Sequence, residues 1–558
     1  MKRLPILILV PLLAASFLRA QTPAPPPEDL VAAVSPKALR SFHELAAGRV
    51  HRAGTPADLE HCEALAAAFR KMGYEVELHE IHPYLPSPVR AELEIVAPER
   101  LRLPVKERVL DDDPWSADEE IEFGWNAYAA SGEVTAEVVY ANFGRDVDFA
   151  RLRELGVDCR GKIVLARYGG NYRGYKAKFA EEAGAAGLVI FSDPADAGYG
   201  RGLSWPEGGW ANDSSIQRGS ILTLPWAGDP LTPGVCATAD AERLDPAAIA
   251  LPRIPVQPIG WAAAQEILGR MRGREAPGDW QGRLPFRYRL VGGSDLRVRV
   301  LVEQKRSLAK TFNIVATLPG RESPDDYVVF GSHHDAWTFG AADPCAGVIT
   351  VLEAARVLAE RAFAIEKPWR PRRGIRFALW GAEEQGIIGS TEWVESRPAE
   401  IAAHAIAYVN LDMAAMGLQL SASASPSLEP SPSPPRRGSS IRATSVAAPS
   451  TSGVTAAPSD DARCPRWARS AAARITSPSS PSPASRARAC RRTARPAPPT
   501  TPPTTISPGI AASWATTTRP PASSRRWCCP SPGSSPRASV CRSPPRAPPR
   551  DSSVTSAR

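Results

Sequence analysis

The stretch YVVFGSHHDAWTFGAADP, residues 327–344, decides the architecture. Tyr327 to Phe330 is a short β-branched and aromatic run set off by the preceding Ser-Pro-Asp-Asp break, which reads as a buried strand. His333 and Asp335 follow at its end. Asp343 comes eight residues after Asp335, just before Ala346-Gly347-Val348 opens a helix that should run to about Arg361. A strand ending in His and Asp and followed by a helix is the pattern of an α/β sheet, in which ligands gather at the carboxyl ends of the strands.

Working outward, Asn313 to Thr317 reads as a neighbouring strand. Ile375 to Trp380 reads as another and leads into Gly381-Ala382-Glu383-Glu384-Gln385-Gly386, and Ala405 to Leu411 as a third that ends in Asp412. Three strand ends and one helix start thus deliver one histidine and several carboxylates. Adjacent glutamates can divide two duties, one as metal ligand and the other as general base toward water. A mixture of nitrogen and oxygen donors suits zinc, and two ions sharing a carboxylate would use all of them.

A chain of 558 residues exceeds what one hydrophobic core usually serves, so more than one domain is expected. Lys2 and Arg3 precede an apolar run from Leu4 to Leu18 and then Leu18-Arg19-Ala20, which reads as a signal peptide over residues 1–20 and predicts a secreted or periplasmic protein. The run is short for a membrane span, and no stable span is expected. The net charge of +8 comes from one end: residues 429–558 hold 20 arginines, no lysine and four acids, whereas residues 1–428 hold 47 basic and 55 acidic groups. The body is therefore acidic, and no nucleic-acid partner is expected. No Cys-x-x-Cys occurs, which removes the zinc-finger and thioredoxin readings.

The segments Ser332-His333-His334-Asp335-Ala336-Trp337, Asp343-Pro344, Trp380 to Gly386 with Gly389-Ser390-Thr391-Glu392-Trp393, and Tyr408-Val409-Asn410-Leu411-Asp412 resemble the co-catalytic zinc peptidases, in the branch of glutamate carboxypeptidase and the transferrin receptor. The resemblance implies that His333, Asp343, Glu384 and Asp412 hold two zinc ions, with Asp343 bridging them, that Glu383 is the base, and that Asp335 orients His333. His334 is read as a bystander. Upstream, Cys159 to Gly169, Arg173-Gly174, Ala183 to Ile190 and Gly228 to Gly234 resemble the protease-associated domain of this branch, and Arg173 matches an arginine near the substrate carboxylate.

These readings predict an α/β fold, a zinc-peptidase (hydrolase-like) central mixed sheet flanked by helices, with a β-rich protease-associated domain inserted. The predicted division is a linker over 21–37, peptidase segments over 38–85 and 311–428, the insert over 86–310, and a disordered tail over 429–558. The expected activity is peptide-bond hydrolysis by a metallo-exopeptidase, of glutamate carboxypeptidase or aminopeptidase type. The alternative is a non-catalytic receptor- or scaffold-like relative. The tail lacks Leu, Phe, Tyr, Met, His, Lys, Asn and Gln altogether, and no histidine follows His404. The family completes its second zinc with a downstream histidine and forms homodimers through a helical domain. The tail accordingly reads as an out-of-frame translation, with the second zinc site incomplete, activity lost or nearly so, and the dimer in doubt.

Overall fold

The computed structural model describes residues 25–366 and 368–414, together with Ser425 and Leu428. The expected signal peptide and tail lie outside these residues. All described residues fall in one compact unit, Met1–Ala515.

The helices are α1 Pro27–Ala32, α2 Pro36–Ala46, α3 Pro56–Lys71, α4 Asp146–Glu154, α5 Arg173–Glu182, α6 Pro194–Ala197, α7 Trp261–Arg270, α8 Cys345–Ala362, α9 Glu383–Gly386, α10 Ile388–Glu395 and α11 Pro398–His404. The strands are β1 Glu75–Ile81, β2 Tyr84–Ala97, β3 Leu101–Leu103, β4 Asn126–Ala127, β5 Gly132–Tyr140, β6 Ile163–Arg167, β7 Gly187–Phe191, β8 Gly219–Ser220, β9 Val256–Ile259, β10 Arg297–Leu308, β11 Thr311–Leu318, β12 Ser323–His333, β13 Arg373–Trp380 and β14 Ala405–Asn410. Part of the segment read as a linker is helical, because Pro27 and Pro36 each stand in the first turn of a helix, where a missing N–H costs nothing. Ser35 caps α2 by accepting the Ala38 N–H at 3.2 Å.

Five strands in the order β1-β11-β13-β12-β14 form the first sheet. β12 runs parallel to both β13 and β14, with His333 opposite Trp380 and Gly331 opposite Asn410, so the three carboxyl ends share one edge. β11 is antiparallel to β13 and to β1. Alternation along β12 serves both faces: Phe330 packs with Leu65, Val348 and Leu352 under α3 and α8, while Tyr327 and Val329 pack with Trp393 and Ile401 under α10 and α11. Seven strands in the order β3-β2-β10-β5-β6-β7-β9 form the second sheet, parallel from β5 through β9 and antiparallel at β2, β3 and β10. Its core is separate, built on Val164, Leu188, Val256, Ile267 and Trp280. The insert is therefore a helix-covered mixed sheet with parallel βαβ units, such as β6-α5-β7. Cys62, Cys159, Cys236 and Cys345 are buried free thiols.

Candidate metal centre and active site

At the shared edge, His333 Nδ1 donates to the Asp335 carbonyl at 3.0 Å. That bond turns Nε2 toward two carboxylates, 3.2 Å from Asp343 Oδ1 and 3.4 Å from Asp412 Oδ1. Asp343 arrives from the turn before α8. A side chain at Gly347 would put a Cβ 1.7 Å from the Leu411 carbonyl, so only glycine lets α8 press onto the strand ends and bring Asp343 beside Asp412. His333, Asp343 and Asp412 thus form a three-donor cluster with all donor atoms within 4.8 Å of one another.

Asp335 does more than the sequence suggested, and in a different way. It holds His333 through its main-chain carbonyl, while its carboxylate, 3.7 Å from the ring, serves the glutamates. Asp335 Oδ1 accepts the Glu383 N–H at 2.8 Å and Oδ2 the Glu384 N–H at 3.3 Å. These are orphan donors of the first turn of α9, where a carboxylate is well placed. The turn is also strained: Ala382 and Ile387 on either side of α9 have φ of 54° and 57°. Left-handed backbone in residues with side chains costs about 1–3 kcal/mol each and persists where the surroundings impose it.

The electrostatics favour a cation. Burial, together with Asp412, Asp335 and Asp343, pushes the Glu383 carboxyl up to about 7, against the opposing pull of His333. Burial and the neighbouring carboxylates Asp343, Glu383 and Asp335 raise Glu384 well above the ordinary range. Burial disfavours protonation of His333, yet Glu383, Asp335, Asp343 and Asp412 outweigh it and hold the imidazole well above its usual value. The carboxylates of Asp335, Asp343, Asp412 and Glu383 around one imidazole are a donor set that a divalent ion would neutralise. The residues fit a metal.

A cavity of about 200 Å³ opens beside Asp343 and Glu384, walled by Trp337, Thr338, Ile216 and Arg218. A larger concavity of about 350 Å³, between Leu39, His43 and Ile349, lies away from this centre. Arg218 was not picked out from the sequence. It belongs to the insert, its two terminal nitrogens donate to Glu107 at 2.7 and 2.9 Å, and its buried Nε has no partner. No local signal marks it, since it reaches the site from the loop just before β8 of the insert. Arg173 opens α5; its guanidinium lies over Gly219, where a Cβ would come within 2.2 Å of it. β8, which contains Gly219, packs on α9, and the Glu383 charge acts on the neighbouring Tyr172 hydroxyl. Arg173 is therefore on the wall that faces Glu383, although it does not line the 200 Å³ cavity itself. The wall is clasped to the sheet domain: Glu392 accepts the Asp229 and Ala237 N–H groups at 2.8 and 2.6 Å, and Gly228 N–H donates to the Gly386 carbonyl at 3.1 Å.

Residues 313–461 match Peptidase family M28 and residues 134–222 match the PA domain. The chain is 34% identical over 383 residues to "Probable glutamate carboxypeptidase VP8" of Zea mays, covering 68% of this chain and 50% of that one. It is 38% identical over 299 residues to "Aminopeptidase NAALADL1" of Mus musculus, covering 51% and 40%. The chain thus spans about half the length of the curated relatives it matches. Among solved structures, an aminopeptidase from Aneurinibacillus sp. strain AM-1 aligns at 20% identity with a TM-score of 0.41, over 69% of this chain and 72% of that one.

Proposed function

We propose that this chain, which joins a peptidase family M28 segment to a PA domain, is built as a zinc-dependent exopeptidase acting on peptides. The observation that carries the reading is the convergence of His333, Asp343 and Asp412 at one sheet edge, with Glu383 and Glu384 held next to them by the Asp335 carboxylate. His333, Asp343, Asp412 and Glu384 would hold the metal, with two ions as the arrangement that uses every donor. Zinc there supplies Lewis acidity toward the scissile carbonyl and toward water.

The protein's own groups do the rest. Glu383, with its carboxyl near neutrality, accepts the proton of the attacking water and passes it to the departing amine. Asp335 fixes the approach of that carboxylate by holding the backbone it grows from, and so lowers the reorganisation needed in the transition state. Arg173 supplies a positive wall for a substrate carboxylate, which favours a peptide end over a chain interior. The names of the relatives, a glutamate carboxypeptidase and an aminopeptidase, support exopeptidase action without choosing the end. The presence of His333, Asp343, Glu384 and Asp412 gives the non-catalytic alternative no support. Export through residues 1–20 is part of the same proposal. No described helix is long and apolar enough to cross a membrane.

The test is metal analysis of the purified chain, with hydrolysis measured before and after chelation and zinc return on matched peptides with free, acetylated or amidated ends. Zinc-dependent cleavage from one end supports the reading. A folded chain that takes up no zinc at His333 overturns it.

A further inference from the structure

Behind His333 lies a second polar cluster that the proposed reaction does not use. His334 is fully buried, together with Asp58 and Cys62 of α3. Asp58, His61 and Cys62 stand at i, i+3 and i+4, one face of that helix. Cys62 Sγ is 3.8 Å from Asp58 Oδ1 and 3.7 Å from His334 Nε2, and His334 Nδ1 is 3.7 Å from Asp58 Oδ1. All three side chains offer a donor atom within 4.8 Å of the others. A tetrahedral zinc with bonds of about 2.0–2.3 Å needs donor separations of about 3.3–3.6 Å, so a zinc bound through His334 Nδ1 requires the cluster to contract from separations of up to 4.8 Å.

We propose that Asp58, Cys62 and His334 form a structural zinc site, separate from the His333 centre and independent of the peptidase reading. Three features point to a cation. Asp58 is fully buried, and among the described residues its one ion-pair partner is His334; a buried carboxylate without a firm counter-charge is expensive. His334 Nδ1 is buried and has no hydrogen-bond partner, while Nε2 lies 2.9 Å from the Phe312 carbonyl, the outer contact that fixes a ligating imidazole. His61 Nε2 is likewise buried without a hydrogen-bond partner, on a ring centred 5.9 Å from that of His334, and offers a nitrogen for a fourth position.

The chemistry selects the metal. A thiol, an imidazole and a carboxylate suit zinc, not calcium or magnesium. The Cys62 S–H gives its proton to solvent as the sulfur–zinc bond forms, and the thiolate and carboxylate together cancel the dication, so the filled site is neutral. Such a site would tie α3 to the back of the loop whose preceding residue is His333.

The deciding experiment uses the full chain with His333→Ala, which removes the imidazole of the first centre, grown with zinc and studied by metal analysis and zinc X-ray absorption. About one zinc per chain with a sulfur neighbour near 2.3 Å is expected. Adding Cys62→Ser should remove that sulfur signal and lower Tm. If this variant does not fold, Asp58→Asn should weaken zinc retention against a chelator at least tenfold. Absence of zinc, zinc with only nitrogen and oxygen neighbours, a sulfur signal that survives Cys62→Ser, or retention unchanged by Asp58→Asn overturns the proposal.

Discussion

The carboxylate of Asp335 accepts the main-chain N–H of Glu383 at 2.8 Å, so the residue that orients His333 also sets the position of the glutamate beside it. Replacing one oxygen by an amide removes an acceptor while leaving the carbonyl bond to His333. Asp335→Asn should therefore keep its metal and lower kcat by about 10- to 100-fold with little change in KM. Equal losses in kcat and in metal content would assign Asp335 to the ligand cage instead.

Glu383→Gln keeps the shape of the side chain and abolishes its basicity. In a chain whose reading frame is restored after residue 428, hydrolysis should fall at least about 100-fold, while zinc content stays at the level of the parent. His333→Ala should behave differently, losing metal and activity together. Activity retained in Glu383→Gln would transfer the proton-accepting role elsewhere.

Arg173 faces the α9 wall and carries a charge that a peptide carboxylate would pair with. Arg173→Ala should raise KM about tenfold for substrates with a free carboxy end and leave amidated substrates nearly unchanged. A parallel rise for both would show that the arginine only packs against Gly219.

Ile387 is a β-branched residue at φ 57°, and it is exposed. Glycine relieves that strain, and part of the gain is offset by the freedom it adds to the unfolded chain. Ile387→Gly should stabilise the protein by about 1 kcal/mol, read as a rise in the denaturation midpoint. A fall would mean that the Ile387 side chain contributes packing that outweighs its backbone cost.

Burial lowers His51 to about 4, and burial with Arg397 nearby lowers His79 to about 4, while Asn313 lies 3.0 Å from His79 Nδ1 and donates to it. Between pH 4 and 6.5 the unfolded chain binds protons that the folded chain refuses, so stability falls as the solution is acidified through that window and is flat above it. Each histidine should contribute a loss of about 1–2 kcal/mol by pH 5. In Tm measurements from pH 7 to pH 5, His79→Gln should decline less steeply than the parent; identical slopes would show that His79 titrates freely.

The linear chain determined what local pattern can carry. Strand-forming runs ending in His333, Glu383 and Asp412, the small residues that open α8, and the acidic body before residue 429 are legible because strand alternation and turn chemistry act over a few neighbours. The convergence of three strand ends followed from their parallel direction. The chain could not disclose which side chains meet across long separations. Cys62 reaches His334 over 272 positions, Arg218 lines one cavity with Glu384 from a loop of the insert, and the Asp335 carboxylate spans 48 positions to Glu383. None of these contacts has a spacing signature. They are decided by how α3 and the insert pack on the sheet, where burial leaves each polar atom only the partners that the fold brings within reach.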